Sequence, residues 1–289
     1  MLVLNKNMPV VDELKDDIYI KLKDTKFSSS EKSKKILILN LMPNKVETEY
    51  HLLRLLQEND SSSSIEPFFL KLSTHNYKNI DNKYLDEFYV TLEDLKKIEI
   101  DAAIITGAPL EKIEFEEVTY WNELKKIFEF IDNLKSTIFI CWGSQAALHY
   151  FHGIKKYEYS KKKFGIFQHK CEAITDLFNN ISESDLKIPH SRYTYIKREE
   201  VENTRELKIL LSDEENEPVI VRERNKIYIS GHMEYAKYNL RDEYIRDIKK
   251  GIVIEKPENY FLENDINKEP VFSWDSFSRE FYKNWLGSI

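Results

Sequence analysis

Alternation between short apolar runs and amphipathic segments in the first half of the chain constrains the fold more than any other feature of the sequence. Four runs have the length of strands and the continuous hydrophobicity of strands buried on both faces. They are residues 35–41, 65–72, 101–106 and 137–140. Four segments place apolar residues at helical spacing. They are residues 44–59, 91–98, 119–134 and 144–151. This βαβαβαβα order predicts an α/β fold with an open parallel sheet.

The second half of the chain has a different pattern. Short strands separated by charged turns predict a meander over residues 208–211, 219–222 and 226–230, and helices are expected at 239–250 and 276–286. Residues 1–34 are charged and serine-bearing and predict an N-terminal arm over the domain surface, and the serines at 61–64 predict a loop. Since no Pro/Gly/Ser-rich linker divides the remainder, we expect residues 35–289 to form a single domain.

Composition excludes several classes of protein. The chain has 43 basic and 50 acidic residues, and its net charge of −7 disfavours nucleic acid as a partner. No apolar run approaches the roughly 18 residues of a membrane helix, and the first residues lack the features of a signal peptide. Only Cys141 and Cys171 are present, which is too few for a disulfide framework. We therefore expect a cytoplasmic protein with free thiols and no membrane partner.

Cys141 stands at the end of one predicted strand and directly before a predicted helix, in the segment FICWGSQAA. A sharp strand-to-helix turn exposes the central side chain and directs the next backbone N–H groups at a bound group, as in a nucleophile elbow. A helix N-terminus also favours thiolate over thiol. The alternative is a buried cysteine that packs as a small apolar residue. Gly143 and the small residues after it favour the nucleophile, because they allow the helix to approach the sheet closely.

His232 and Glu234 follow another strand end, in the segment IYISGHME. If the chain is still extended there, both side chains lie on one face. A carboxylate beside an imidazole fixes its tautomer and stabilises the imidazolium that a thiol's general base forms. A strand-end histidine that caps a carbonyl is the alternative for this fragment alone. Because sites lie at the carboxyl ends of parallel strands, the two fragments together predict a Cys-His-Glu triad.

Other candidate residues are weaker when taken from the sequence alone. The loop HSRY, which contains Ser191, and Arg246 on the following helix could each be a surface ion pair or a cap. The pair His149 and His152 has no third ligand, and neither does the pair formed by His169 and Cys171. We therefore predict no metal site.

Six segments of the sequence, in this order along the chain, closely resemble the homoserine O-succinyltransferase/O-acetyltransferase family of methionine biosynthesis, which is related to the class I glutamine amidotransferases. The segments are ILNLMPNKVETE (38–49), TGAPLEKIEFEEVTYW (106–121), FICWGSQAALHYFHGI (139–154), FGIFQH (164–169), PHSRYTY (189–195) and SGHMEY (230–235). The resemblance implies a flavodoxin-like α/β fold of the class I glutamine amidotransferase type, with helices on both faces of the parallel sheet. It also implies a single acyltransferase domain and a homodimer.

The same resemblance implies roles for individual residues. Cys141 would be the nucleophile that becomes an acyl-thioester, His232 its general base and Glu234 the orienting carboxylate, with backbone amides near Trp142 holding the oxyanion. The amino-acid substrate would be bound by Lys162, Ser191 and Arg246, and Glu111 would select the acyl donor. Two departures from the family pattern stand out. Met233 replaces a frequent proline, and the run Lys161–Lys163 leaves the register of the substrate lysine open by one residue.

The implied reaction is transfer of the acetyl group of acetyl-CoA to the hydroxyl of L-homoserine. Acetyl-CoA is a substrate, and no cofactor is expected. The choice of acetyl-CoA over succinyl-CoA rests on Glu111, because relatives that use succinyl-CoA have glycine there. Succinyl transfer and a glutaminase remain alternatives, and so does a binding protein with Cys141 as a redox sensor. Serine differs from homoserine by one methylene, so the sequence does not separate the two acceptors.

Overall fold

A single mixed sheet organises residues 1–27, 33–56 and 64–289, which are the residues that the computed structural model describes. Its strands are β1 (Leu2–Asn5), β2 (Ile20–Lys23), β3 (Ser33–Leu39), β4 (Ser64–Leu70), β5 (Tyr89–Val90), β6 (Ala102–Ile105), β7 (Ser136–Ile140), β8 (Tyr157–Cys171), β9 (Lys187–Tyr195), β10 (Lys208–Asp213), β11 (Pro218–Glu223) and β12 (Lys226–Ile229). The α-helices are α1 (Val10–Leu14), α2 (Lys45–Leu53), α3 (Asn82–Phe88), α4 (Leu92–Leu95), α5 (Trp121–Ile131), α6 (Trp142–His152), α7 (Arg198–Glu202), α8 (Asn239–Lys249) and α9 (Asp275–Gly287).

The strand order is β2-β1-β4-β3-β6-β7-β12-β11-β10-β8-β9, and β5 pairs with β4. From β2 to β12 the neighbouring strands are parallel. From β12 to β9 they are antiparallel. The structure thus confirms the predicted parallel strands, which lie in β3, β4, β6 and β7, and the predicted meander, which is β10 to β12.

Helices cover both faces of the sheet, as predicted. Successive residues of β3 point to opposite faces, so that Ile36 belongs to one apolar core and Leu37 to the other. Residues of α1, α2 and α9 complete the first core, and residues of α5 and α6 complete the second. In the part of the chain that the structure describes, no helix is both long and apolar enough to span a bilayer.

The N-terminal segment differs from the prediction of an arm over the surface. Strand β1 is buried, lies between β2 and β4 and pairs with both, and β3 begins at Ser33 rather than at residue 35. Strand β1 is only four residues long with three apolar residues, and the charges around it hide it in the sequence. Parts of two predictions lie outside the described residues: the middle of the arm at 28–32, and the helix end and serine loop at 57–63.

The long hairpin formed by β8 and β9 was not predicted. Strand β8 runs for 15 residues and is buried at 164–166, with lysines at 161–163 that resemble a solvated surface in the sequence. Its partner β9 carries the segment PHSRYTY. The hairpin matters for function because it brings Lys162 and Ser191 towards the same edge of the sheet as the strand ends described next.

The carboxyl ends of three parallel strands meet at one edge of the sheet. Strand β7 lies between β6 and β12, with Phe139 opposite Ile105 and Ile140 opposite Ile229. The residues that follow these strands are therefore neighbours in space. They are Gly107 after β6, Cys141 after β7, and His232 after β12.

Candidate active site

Cys141 occupies a strained turn between β7 and α6. Its φ of 50° and ψ of −116° lie in a region that residues with a Cβ rarely adopt, at a cost of about 1–3 kcal/mol. The turn depends on Gly143, since a Cβ there would lie 2.5 Å from the carbonyl oxygen of Thr106. Cys141 is a free thiol and 6% exposed. The backbone thus directs a buried thiol away from the sheet at the start of a helix, which is the geometry of a nucleophile elbow.

His232 is held beside Cys141 by the turn after β12. Its backbone N–H donates to the carbonyl of Pro189 at 2.8 Å. Gly231 has no room for a side chain, because a Cβ would lie 2.4 Å from Cγ2 of Ile188. The Nδ1 atom of His232 lies 2.7 Å from Oε1 of Glu234, and both side chains are buried. The structure therefore brings the three residues of the predicted triad together in the order Cys, His, Glu.

The charge on His232 follows from its neighbours. Burial alone would lower the pKa of the imidazole, but charge and hydrogen bonding from Cys141 and Glu234 outweigh it and raise that pKa well above its usual value. The imidazole thus favours its protonated form, with Glu234 accepting from Nδ1. One face of the ring is covered by Tyr235, whose ring centroid is 4.2 Å away at an interplanar angle of 16°.

Gly107 lies next to the Cys141–His232 pair. A Cβ on Gly107 would be 3.3 Å from Cβ of Cys141 and 3.7 Å from Cε1 of His232, so any side chain at that position would crowd the thiol and the imidazole. Trp142 is the first residue of α6, and first-turn N–H groups have no acceptor within a helix. Its side chain is buried in the core, which leaves the backbone amide as the group available to an oxyanion.

A second constellation contains the three residues predicted to bind an amino acid. Lys162 Nζ lies 2.7 Å from Oε1 of Glu243, and Ser191 Oγ donates to the same carboxylate at 2.9 Å. Arg246 Nη2 lies 3.4 Å from Glu243 Oε1 and 2.7 Å from Oδ1 of Asp247. The two cations face two carboxylates, and the cluster is neutral. Such a set can exchange its internal pairs for the carboxylate and ammonium of a zwitterion.

The structure settles which lysine of the run reaches this cluster. Lys162 is buried against Glu243, whereas Lys161 pairs with Glu255 at the surface. Lys163 points to the other face of β8 and pairs with Asp213. Successive side chains of a strand point to opposite faces, which explains why Lys162 and Lys163 have different partners.

Glu243 was missed by the sequence analysis. It stands one helical turn before Arg246 on α8, and that spacing was the available signal. Its carboxylate is the common partner of all three predicted substrate residues, which no pattern along the chain shows.

Glu111 lies between the two constellations. Its Oε1 accepts the backbone N–H of Tyr193 at 3.1 Å, and its side chain is half-buried. Burial raises the pKa of Glu111 above its usual value, although the Tyr193 N–H and the charges of His232 and Lys162 act in the opposite direction. The carboxyl group is thus within electrostatic range of both the imidazole and the substrate lysine.

The weaker histidine candidates have other partners. His149 pairs with Glu116 at 2.7 Å, and His152 with Glu223 at 3.1 Å. His169 lies 3.1 Å from the ring of His190. Within residues 1–27, 33–56 and 64–289, no group of three or more His, Cys, Asp or Glu side chains is arranged to hold a metal ion.

The fold is an α/β fold of the class I glutamine amidotransferase type. The similar solved structures include a glutamine amidotransferase from Thermotoga maritima, with a TM-score of 0.57, 12% identity and coverage of 90% of this chain and 96% of that one. Another is a glutamine amidotransferase from Methylobacillus flagellatus, with a TM-score of 0.55, 10% identity and the same coverages. At these identities the likeness concerns the fold alone.

A family profile described as homoserine O-succinyltransferase matches residues 1–289, and the chain belongs to that family of acyltransferases. Similar curated proteins include homoserine O-acetyltransferase 1 of Ilyobacter polytropus, which is 43% identical over 289 residues, or 99% of this chain and 95% of the relative. The homoserine O-acetyltransferase of Azobacteroides pseudotrichonymphae is 41% identical over 288 residues, or 98% and 91% of the two chains. The family name and the names of these relatives thus specify different acyl groups.

Proposed function

We propose that this acyltransferase is a homoserine O-acetyltransferase, which transfers the acetyl group of acetyl-CoA through Cys141 to the hydroxyl of L-homoserine and so serves methionine biosynthesis. The observation that carries the proposal is that two sites lie next to each other at one edge of the sheet. A buried thiol with its imidazole and carboxylate lies beside a neutral cluster of two cations and two anions. The names of the similar full-length relatives support the same activity.

In the first half-reaction the Cys141 thiolate attacks the thioester carbonyl of acetyl-CoA. The oxyanion of the tetrahedral intermediate accepts from the backbone N–H of Trp142 at the start of α6. The carbon–sulfur bond to CoA then breaks, and the departing thiolate takes the proton that His232 carries. The acetyl group remains on Cys141 and the imidazole is left neutral, ready to act as a base.

In the second half-reaction homoserine enters the charged cluster. Its carboxylate replaces Glu243 on Arg246 and Lys162, and its ammonium group takes the carboxylate of Glu243. Neutral His232 removes the proton from the homoserine hydroxyl as the oxygen attacks the enzyme thioester. Glu234 stabilises the imidazolium that results. Collapse of the intermediate releases O-acetylhomoserine and restores the thiolate–imidazolium pair.

Intact-mass spectrometry after incubation with acetyl-CoA and no acceptor tests the proposal. We expect one acetyl group on Cys141, its loss on adding homoserine, and O-acetylhomoserine in the supernatant. The Cys141→Ser protein should gain nothing, and Cys171→Ser, which removes the exposed thiol, should behave as the unmodified protein.

Other outcomes would replace this proposal. Release of ammonia from glutamine without acetylation would favour a glutaminase. Absence of both reactions, together with reversible oxidation of Cys141 by peroxide, would favour a redox sensor. Comparing homoserine with serine as acceptor in the same assay separates those two substrates.

We also propose that the protein works as a homodimer in the cytoplasm. Both Cys141 and Cys171 are free thiols, and a free thiol nucleophile suits a reducing compartment. Sedimentation velocity at micromolar concentration measures the oligomeric state, and a single species of monomer mass would reject the dimer.

A further inference from the structure

The turn that carries His232 and Glu234 is held by side chains from two distant parts of the chain. Arg54 follows α2, and its Nη2 donates to the carbonyl oxygens of Glu234 at 3.2 Å and of Tyr235 at 2.7 Å. The indole N–H of Trp274, just before α9, donates to the same Tyr235 oxygen at 2.9 Å. Both donors are buried.

The guanidinium is itself fixed from its other side. Its Nη1 donates to Oδ1 of Asp275 at 2.7 Å, so one planar group joins two backbone carbonyls to a carboxylate. A guanidinium presents its donors in a rigid fork, which an ammonium group cannot reproduce. Residues 230–236 form neither helix nor strand, and buried carbonyls in such a segment need donors from elsewhere.

Both residues whose carbonyls are held also orient the imidazole. Glu234 accepts from Nδ1 of His232, and the ring of Tyr235 covers one face of it. A shift of their backbone would therefore move the carboxylate and the stacked ring together. We propose that Arg54, fixed by Asp275 and assisted by Trp274, is a positioning residue that holds His232 in the geometry required for proton transfer. This inference rests on the proposed role of the Cys-His-Glu triad.

The experiment uses variants in a Cys171→Ser background, so that Cys141 is the one thiol of the chain. Arg54→Ala removes the fork, Arg54→Lys keeps a cation, and Trp274→Phe removes one donor. Arg205→Gln is the matched control, because Arg205 is an exposed arginine in the turn after α7, outside the Arg54–Asp275–Trp274 network. Two quantities are measured: the rate of Cys141 alkylation by iodoacetamide, and kcat and KM for acetyl transfer.

We expect alkylation of Arg54→Ala at pH 7 to slow at least tenfold, because alkylation consumes the thiolate and a displaced imidazole can no longer accept the thiol proton. Near pH 9.5 the rates should converge, since a thiol ionises unaided above about pH 8.5. The kcat should fall by up to about a hundredfold while KM changes little, as expected for misplacement of a catalytic group. Millimolar guanidinium should restore both rates, and equal urea should not. Arg54→Lys and Trp274→Phe should lose less of both rates, and Arg205→Gln should leave both unchanged.

The proposal is overturned if folded Arg54→Ala keeps alkylation and kcat within twofold of its parent, or if guanidinium restores neither. If Arg54→Ala does not fold, unchanged alkylation and kcat in both Arg54→Lys and Trp274→Phe overturn it instead. Alkylation requires no acyl donor. A different result is that acetyl-CoA fails to acylate the parent while Arg54→Ala still slows its alkylation. That result would support the positioning role and reject the proposed acetyl transfer.

Discussion

Glu111 should decide which acyl-CoA the enzyme accepts, and two substitutions separate the physical contributions. Succinyl-CoA ends in a carboxylate and acetyl-CoA in a methyl group. A glutamate beside the acyl tail therefore repels the carboxylate of succinyl-CoA and has no charge repulsion with the methyl group of acetyl-CoA. Glu111→Gln removes the charge at nearly constant volume, and Glu111→Gly removes both charge and volume.

The structure gives the scale of the effect. The Glu111 carboxylate is anchored on the N–H of Tyr193 at 3.1 Å and is half-buried, so it can neither swing freely away nor be fully screened. Two like charges at about 4 Å and an effective dielectric constant near 20 repel by about 4 kcal/mol. If solvent leaves a third of that energy, the preference for acetyl-CoA is about tenfold in kcat/KM.

The assay follows CoA release with each donor at fixed homoserine, and the measured quantity is the ratio of the two kcat/KM values. We expect a ratio of at least about ten for the unmodified protein, a smaller one for Glu111→Gln, and the smallest for Glu111→Gly. Glu114→Gln, an exposed residue of the same loop, is the matched control and should leave the ratio unchanged.

The ratio should also depend on pH in a defined direction. Burial raises the pKa of Glu111, so its carboxyl group takes up a proton at a higher pH than an ordinary glutamate. The preference should be complete above that raised pKa and should weaken as pH falls through it. Effects of pH on His232 are shared by both donors and cancel in the ratio. Comparable kcat/KM for the two donors, or a ratio that neither substitution alters, would refute the electrostatic reasoning.

The remaining predictions concern the triad, the acceptor site and the turn. His232→Ala should lower turnover by about three orders of magnitude, and Glu234→Ala by less, because an imidazole can act without its carboxylate. Arg246→Ala should form the acetyl-enzyme at a near-normal rate in single-turnover assays but raise the homoserine KM by about tenfold or more, since it loses a charge-assisted contact. Gly143→Ala should destabilise the fold by about 2 kcal/mol or more in denaturant unfolding, because its Cβ would lie 2.5 Å from a carbonyl oxygen. Gly287→Ala, with open space around it, should not.

Each of these predictions has a clear contrary result. Near-normal turnover of His232→Ala would remove the histidine from the mechanism. Slowing of acetylation in Arg246→Ala by as much as the transfer step would make that arginine structural. Equal unfolding free energies for Gly143→Ala and Gly287→Ala would show that the elbow can relax around a side chain.

The parts of the fold that were predictable are those whose signal is local. Each parallel strand is a continuous apolar run, and Cys141 could be placed at an elbow because it lies directly between such a run and a set of small residues. The stretch from Ile227 to Glu234 likewise contains both its strand and its polar pair. Strands buried on both faces of a sheet are continuously apolar, so they can be recognised from the sequence alone.

The parts that were not predictable depend on contacts between distant residues. Strand β1 is recognisable only through its neighbours β2 and β4, and Lys162 in the charged run of β8 looks solvated until α8 supplies Glu243. Arg54 gives no sign in the sequence that it reaches carbonyls 180 residues further along. Ion pairs and buried forks of this kind are set by the tertiary structure, and residue spacing along the chain does not encode them.

The strained backbone at Cys141 has a consequence for which residues can replace cysteine there during evolution. Glycine would relieve about 1–3 kcal/mol of strain there, against about 0.5–1 kcal/mol of extra chain entropy and the loss of a small buried side chain. Folding alone therefore gives almost no preference for cysteine at this codon. Only selection for the chemistry retains it, and a gene copy released from that selection can lose its thiol while keeping its fold.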